Sequence, residues 1–477
     1  MADEKKIAEF SESQLSRSDD EGQEIAWTEA EEKALVRRID LLVMPLLILG
    51  FFALQLDRGN IGNALTDYFL QDVGITQFQF NIGQQLLSAG IVLLEIPSNL
   101  ILYRVGPAAW IGGQIVAWGL VAAFQAFQKG LGPYLATRLL LGLCEAGFIP
   151  AGLFTITRWY KRDETSTRFS AYFIGNMLAG ACSGLIAYGI LHMRGIGGLA
   201  GWQWLFLLEG LFTILIGVLF ITLFPRSSGN PVSLLKFRYF SEREAQILQQ
   251  RVLRDDPTKF QPRRSVSWAE ARATFTNWRL LPHILVTLTC LAPATTMGSY
   301  APSLVVSFGF DRLKSNAMVS IGAWCLIITN LLSGSIADKT GRRGPVVFLG
   351  IFILWGLTLG NRLLVDSTNG NLRFGVLTAG IAFQATFHAV HGSWLALNAR
   401  TAGERSITMA LFIMSANLSG IIGSQLFQAT DAPLYKMGWT VILALISVAV
   451  VMSIAANVQY WVLNRVQKRV GEKRYHY

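Results

Sequence analysis

Charge is scarce in this chain. Only 15% of its 477 residues are Asp, Glu, Lys or Arg, while 52% are hydrophobic and the mean hydropathy is +0.40. A soluble domain carries about 25% charged residues, so the composition excludes an ordinary soluble protein and points to the membrane. Cysteine is scarce too. Cys144, Cys182, Cys290 and Cys325 stand singly inside apolar runs. No pair has metal-ligand or redox spacing, and they read as small buried hydrophobes. No charged-then-apolar leader opens the chain. No nucleophile elbow, phosphate loop or H-E-x-x-H occurs, so neither an enzyme, a cofactor nor a metal site is expected. Gly195-x-Gly197-x-x-Ala200 imitates a dinucleotide fingerprint but follows no strand. Asn417-Leu418-Ser419 fits a glycosylation sequon but falls inside an apolar run.

What the chain has instead is apolar runs long enough to cross a bilayer core of about 30 Å. Twelve candidate spans are expected at about 40–63, 79–102, 108–128, 133–157, 167–191, 203–224, 282–307, 316–337, 345–365, 374–397, 406–428 and 439–463. The long polar interruption at 225–281 divides them six and six. The expected organisation is a cytosolic tail over 1–38, a six-helix bundle over 39–224, a cytosolic loop over 225–281, a second bundle over 282–463 and a basic tail over 464–477. The tail is acidic and reads as disordered through most of residues 1–33. Thr28-x-x-Glu31 is a capping box that starts an amphipathic lead-in helix, and Ser241-x-x-Glu244 and Ser267-x-x-Glu270 start two surface helices in the central loop.

Lys and Arg set the orientation. With the N-terminus cytosolic, 32 of the 41 basic residues fall in cytosolic segments and 7 outside, leaving Arg58 and Arg138 within spans. Both termini are therefore expected in the cytosol. The net charge of +10 is accounted for by this face, with no need of nucleic acid as a partner.

Two six-span halves suggest an internal repeat. The loop after span 8 reads GSIADKTGRRG, Gly334 to Gly344, and the loop after span 2 reads SNLILYRVGPAAW, Ser98 to Trp110. The first copy is degenerate, with Tyr103 where the second has Asp338. A weaker echo follows spans 4 and 10. The pattern G-x-x-x-D-[RK]-x-G-R-R, here Gly334, Asp338, Lys339, Gly341, Arg342 and Arg343, resembles the loop signature of the major facilitator superfamily. Gly341 permits a tight turn, Gly334 close packing, and the three cations anchor the loop at the cytosolic leaflet. Asp338 is expected to face the N-terminus of span 5, near Thr165–Thr167, so that the network holds one face closed.

Within that superfamily, LDRGNIGNA (Leu56 to Ala64), EIPSN (Glu95 to Asn99), RLLLGLCEAGFIP (Arg138 to Pro150) and WQWLFLLEG (Trp202 to Gly210) resemble the anion:cation symporter family. They are most similar to its fungal allantoate, nicotinate and vitamin permease branch. The likeness covers about residues 35–465. It implies an all-α membrane protein of two six-helix bundles with a midplane cavity, and proton-coupled symport of a small organic anion. It further implies Arg58 for the substrate carboxylate, Asp57 and Glu145 as proton carriers, and Arg138 as the partner of Glu145.

The residues themselves carry part of this reading. An ionisable group inside a span costs about 2.5–3.5 kcal/mol and is functional by default. The candidates are Asp57, Arg58, Glu95, Arg138, Glu145, Glu209, His388 and His391. Asp57 and Arg58 are adjacent, so their side chains diverge by about 100° around the helix. They sit either in the cavity or at its outer rim. Arg138 and Glu145 share a face but lie about 10.5 Å apart along it. Competition between substrate and acid for an arginine would couple binding to protonation. Glu95 and Glu209 read as structural more than as transport residues. His388 and His391 share a face, without the further ligands zinc would need. Asn60, His388, His391, Trp394, Asn398 and Asn417 are candidates for lining the substrate cavity. The expected partners are a small anionic solute, protons and the bilayer, with the protein monomeric in the plasma membrane. Two alternatives stand beside this: efflux of an anionic secondary metabolite, and a non-transporting nutrient sensor, against which the short tails argue.

Overall fold

The first helix starts where its capping box places it. In the computed structural model, which describes residues 26–255, 272, 274–399, 402–470 and 475, the Thr28 hydroxyl accepts from Glu31 N–H while the Glu31 carboxylate accepts from Thr28 N–H. Helix α1 then runs unbroken from Glu29 to Ala64, so the amphipathic lead-in and span 1 are one rod. Eleven further segments follow its pattern. They are α2 (Gln77–Val105), α3 (Pro107–Phe124), α4 and α5 (Leu131–Glu145 and Phe148–Trp159, the two parts of span 4), α6 (Arg162–Leu191) and α7 (Gly201–Leu223). After the central-loop helix α8 (Glu242–Asp255) come α9 (Leu281–Ser307), α10 (Lys314–Thr340), α11 (Arg343–Leu363), α12 and α13 (Gly370–Phe383 and His388–Asn398, the parts of span 10), α14 (Ala402–Gly423) and α15 (Lys436–Val470).

Nine of these segments, among the described residues, are long and apolar enough to cross a membrane on their own. The twelve are completed by α2, by the broken α12–α13 pair and by α14. Their outward faces are apolar: Leu215 is 55% exposed, Leu331 65% and Val451 56%. Such a surface is stable in lipid and costly in water.

The bundle divides into two halves, α1–α7 and α9–α15. Within the first half α1 packs on α6, α2 on α4, and α3 on α7; within the second α9 packs on α14 and α15, and α10 on α12. Close packing in lipid relies on small residues. Gly142 of α4 is one: a Cβ there would stand 2.1 Å from the Leu87 carbonyl oxygen of α2. The halves meet through α6 against α10, α2 against α14 and α1 against α9.

These contacts between halves concentrate away from the face that carries both chain ends. On that far side Asn81 donates to the Phe427 carbonyl at 2.9 Å, and Tyr300 donates to Asn81. Asn316 donates to Thr66 at 2.8 Å and Gln84 to Ser299 at 3.2 Å. At Gly184 a Cβ would meet the Asn316 carbonyl oxygen at 2.1 Å. Asp67 accepts from Arg194 and from Trp202 N–H, both at 2.9 Å, and lies 3.9 Å from Arg312 of the other half.

The opposite arrangement holds at Asp338. Instead of facing the start of α6, it is 76% exposed and accepts from Arg343 of its own loop at 3.0 Å. The halves are joined at their far ends here, so the expected contact of Asp338 with the other half is not made. Gly341 does adopt the left-handed backbone (φ 65°) that ends α10 and turns the chain into α11.

The first part of the central loop, residues 225–255, is bound to the first half. Ser241 and Glu244 form the expected capping box. Ile247, Leu248 and Val252 are buried, and Arg38 of α1 holds both Glu244 oxygens at 2.8 and 2.9 Å. Arg251 is fully buried and donates to Glu32 at 3.0 Å and to Glu164. Lys161 also pairs with Glu32. The second expected loop helix begins at Ser267, outside the described residues. Arg251→Ala removes a side chain that joins α8 to both α1 and the start of α6. It should cost about 1–3 kcal/mol of docking energy, and limited proteolysis should then cut the central loop about tenfold faster.

Candidate functional site

Span 4 breaks immediately after a buried acid, Glu145. Helix α4 ends at Glu145, Ala146 leaves the helical region (φ −59°, ψ 129°), and Gly147 turns left-handed at φ 81° before α5 begins. The break frees backbone carbonyls. Gln114 of α3 takes them, donating to Ala146 O at 2.8 Å and Cys144 O at 3.3 Å. Glycine is required at 147 on two counts. L-residues rarely adopt that backbone, and a Cβ would lie 2.6 Å from Ser98 Oγ and 3.3 Å from the Glu95 carbonyl oxygen of α2. Glu95 and Glu145 are thereby held near one level of the bundle.

Into this level α1 brings Arg58. Its Nε donates to Glu145 Oε2 at 2.5 Å; the arginine is 22% exposed and the glutamate not at all. Across the seam Asn417 of α14 donates to Glu95 Oε2 at 2.9 Å, joining the two halves. Arg58 also lies within Coulombic reach of Glu95. One guanidinium, two carboxylates and one amide therefore stand together between the halves.

Arg138 lies within Coulombic reach of Glu145 but makes no hydrogen bond to this cluster. It is fully buried, donates to Gln125, and stands over the rings of Tyr134 and Phe206 at 6.0 and 5.9 Å. The expected pairing of Arg138 with Glu145 is replaced by Arg58–Glu145, because seven residues of α4 separate the former pair and α1 reaches Glu145 directly. Asp57 turns the other way from Arg58. It is fully buried, and Thr213 of α7 donates to its Oδ2 at 2.8 Å. The choice left open between cavity and rim has a divided outcome: Arg58 faces the seam and Asp57 the core of the first half.

Of the remaining candidates, Asn417 stands in the seam. Asn60 does not: it is fully buried beside Asp57. His391 and Trp394 are likewise buried, at 0% and 1% exposure. Their shared helix face turns into the second half. There His391 Nε2 meets His283 Nδ1 at 2.8 Å, and Trp394 packs against His283 and Tyr460. His388 stacks on Phe412 with ring centroids 4.6 Å apart, and Asn398 faces the Tyr460 hydroxyl. Among the described residues no group of three His, Cys, Asp or Glu could hold a metal.

Sequence reasoning missed Gln114, Gln125, Thr213, His283 and the Glu95–Asn417 contact. Two amides inside an apolar span were a usable signal for the first two, since buried amides need partners. Nothing in one sequence pairs Glu95 with Asn417 across 322 positions.

Twelve spans in two packed halves, with a polar seam between them, define the fold of a membrane-spanning bundle. The match to the Major Facilitator Superfamily family model extends over residues 47–424, and the chain belongs to that superfamily. An "Uncharacterized transporter" of Saccharomyces cerevisiae is 31% identical over 453 residues, covering 94% of this chain and 83% of its own. A protein of Agrobacterium vitis named "Putative tartrate transporter" is 30% identical over 312 residues, covering 65% and 69%. Among solved structures, a bacterial homologue of the human lysosomal transporter Spinster, inward-facing and unoccupied, has the same fold. Its TM-score is 0.66 at 13% identity, covering 90% of this chain and 96% of that one.

Gly147→Ala tests the local geometry. Left-handed strain of about 1–2 kcal/mol, added to the clash with Ser98, should displace Glu145. Transport in reconstituted vesicles should fall about tenfold or more while the protein still purifies as a folded species.

Proposed function

We propose that this transporter carries a small organic anion together with protons, by alternating access, with Arg58 as the anion-binding group and Glu145 as the coupling acid. One observation carries the reading: the seam's arginine is partly open, and its direct ionic partner is a fully buried glutamate. A substrate carboxylate competes with Glu145 for Arg58. If the anion takes the arginine, Glu145 is left as a buried charge without its hydrogen-bonded ionic partner, a state that costs several kcal/mol. A proton on Glu145 removes that cost. If the proton leaves, Glu145 reclaims Arg58 and expels the anion. Binding and protonation are then one linked equilibrium.

The charge pattern supports the polarity of the site. Spans 7, 8, 11 and 12 contain no Asp, Glu, Lys or Arg at all. The second half offers neutral donors such as Asn417, and the charged chemistry belongs to the first. The far-side contacts between the halves match an arrangement open toward the face of the chain ends. On the positive-inside rule that face is cytosolic, with the protein monomeric in the plasma membrane. The signature loop, Gly334, Asp338, Lys339, Gly341, Arg342 and Arg343, would then engage the start of α6 only when the halves close on that side. The relative named for tartrate transport agrees with an acid as cargo.

Proton-driven uptake into proteoliposomes, assayed with a panel of organic acids, tests this. Arg58→Ala should reduce uptake by about 10- to 100-fold, the loss of a charge-assisted hydrogen bond worth about 1.5–3 kcal/mol. Glu145→Gln should keep exchange of the anion across the membrane but lose acceleration by an imposed pH gradient. Uptake of neutral or cationic compounds in place of acids would overturn the anion assignment. Normal gradient response in Glu145→Gln would overturn the coupling role.

A further inference from the structure

Glu209 has no place in that exchange, and its surroundings are unusual. It is 3% exposed on α7, and neither carboxyl oxygen has a hydrogen-bond partner. No Lys, Arg or His pairs with it among the described residues. One turn along the same face, Thr213 donates to Asp57. Asp57 Oδ1 and both amide atoms of Asn60 are likewise buried without partners. Asp57 and Asn60, one turn apart on α1, therefore meet Glu209 and Thr213, one turn apart on α7, in a closed polar pocket inside the first half.

The charges around this pocket can be counted. Helix α3 and the part of α6 that packs on α7 contribute no Asp, Glu, Lys or Arg. Helix α1 contributes Asp57. Helix α4 contributes Arg138 and Glu145, both within Coulombic reach of Asp57; Arg138 bonds Gln125 and reaches the ring of Phe206, one turn from Glu209 on α7. Within the membrane part of the first half, four carboxyls (Asp57, Glu95, Glu145 and Glu209) face two guanidiniums (Arg58 and Arg138). Glu145 has Arg58, Glu95 has Asn417 and Asp57 has Thr213. Glu209 has no cation and only the neutral Asn60 amide beside it, and a buried carboxylate without a cation takes a proton in place of its charge.

We propose that the Asp57–Glu209 pocket is a second proton-binding site, closed to the seam, whose proton resides on Glu209 and stays bound throughout the transport cycle. It is distinct from the coupling proton on Glu145. A protonated Glu209 adds one O–H donor to a pocket whose other side-chain donors are the Thr213 hydroxyl, the Asn60 amide and the Trp118 indole, and where Asp57 Oδ1 and Asn60 Oδ1 are acceptors without a hydrogen-bonded partner. Two carboxyls sharing one proton is the stable state of a close acid pair.

Infrared spectroscopy of the purified full-length chain reads this proton directly and independently of any substrate. The parent should show a protonated-carboxyl band that persists from acid to mildly alkaline buffer and shifts in heavy water. Glu209→Gln should remove that band. It should also leave uptake, its pH profile and the proton-to-anion ratio within about twofold of the parent, because an amide copies the shape and neutrality of a protonated carboxyl. A parent without a persistent band overturns the proposal, whether or not the variant folds. So does a Glu209→Gln protein whose proton-to-anion ratio falls by one, which would make Glu209 a coupling group. Absence of acid uptake in the parent would defeat the symport reading while leaving the band, and this inference, intact.

Discussion

The ion pair between Arg58 and Glu145 is the constraint around which the first half is built. Neither charge is at ease in a bilayer alone, and a buried pair is weakly stabilising at best unless its geometry is good. The surrounding structure supplies that geometry. Gly142 lets α4 press on α2, Gly147 breaks the helix immediately after Glu145, and Gln114 occupies the carbonyls that the break exposes. Each of these features carries a cost in lipid: a missing side chain, a positive φ, a buried amide. Together they hold one carboxylate where an arginine from another helix can meet it at 2.5 Å.

The two halves share an architecture and divide the chemistry. Spans 4 and 10 are both broken near their middles, at Ala146–Gly147 and at Gln384–Phe387. The break in span 4 presents an acid. The break in span 10 leads into His388 and His391, which turn into their own half and pack on Phe412 and His283. The second half thus meets the seam with neutral groups, and Asn417 is its contact to the charged cluster through Glu95. A neutral wall facing a charged one lets the halves separate without exposing an unpaired ion on both sides. Far-side hydrogen bonds such as Asn81 to Phe427 and Asn316 to Thr66 are neutral as well, beside the looser ionic contact of Asp67 with Arg312 at 3.9 Å. Such bonds can be exchanged for water at small net cost.

The layout was legible because it rests on composition and period. Twelve apolar runs, three capping boxes and the GSIADKTGRRG turn are local signals, and α1, α8 and Gly341 appear where those signals put them. The third box, at Ser267, lies outside the described residues. The site was legible by residue more than by pairing. Arg58 and Glu145 stood out as charges inside spans, but their partnership depends on how α1 crosses α4, which no spacing encodes. Trp394 and His391 share a helix face with each other, and sequence cannot say whether that face meets the seam or the half's own core. Asp338 was read for one arrangement of the halves, and the structure holds another.

The adjacency of Asp57 and Arg58 follows from this division between seam and core. Two neighbours on a helix point about 100° apart, so a helix on the boundary between seam and core must send one each way. Arg58 goes to the seam and takes Glu145; Asp57 goes inward to Thr213. Rotating α1 to bring Asp57 into the seam would bury Arg58 in a core whose other guanidinium, Arg138, already has two nitrogens without partners. The orientation seen is the one in which the group that cannot lose its charge keeps access to water, while an acid, which can be neutralised by a single proton, takes the buried side.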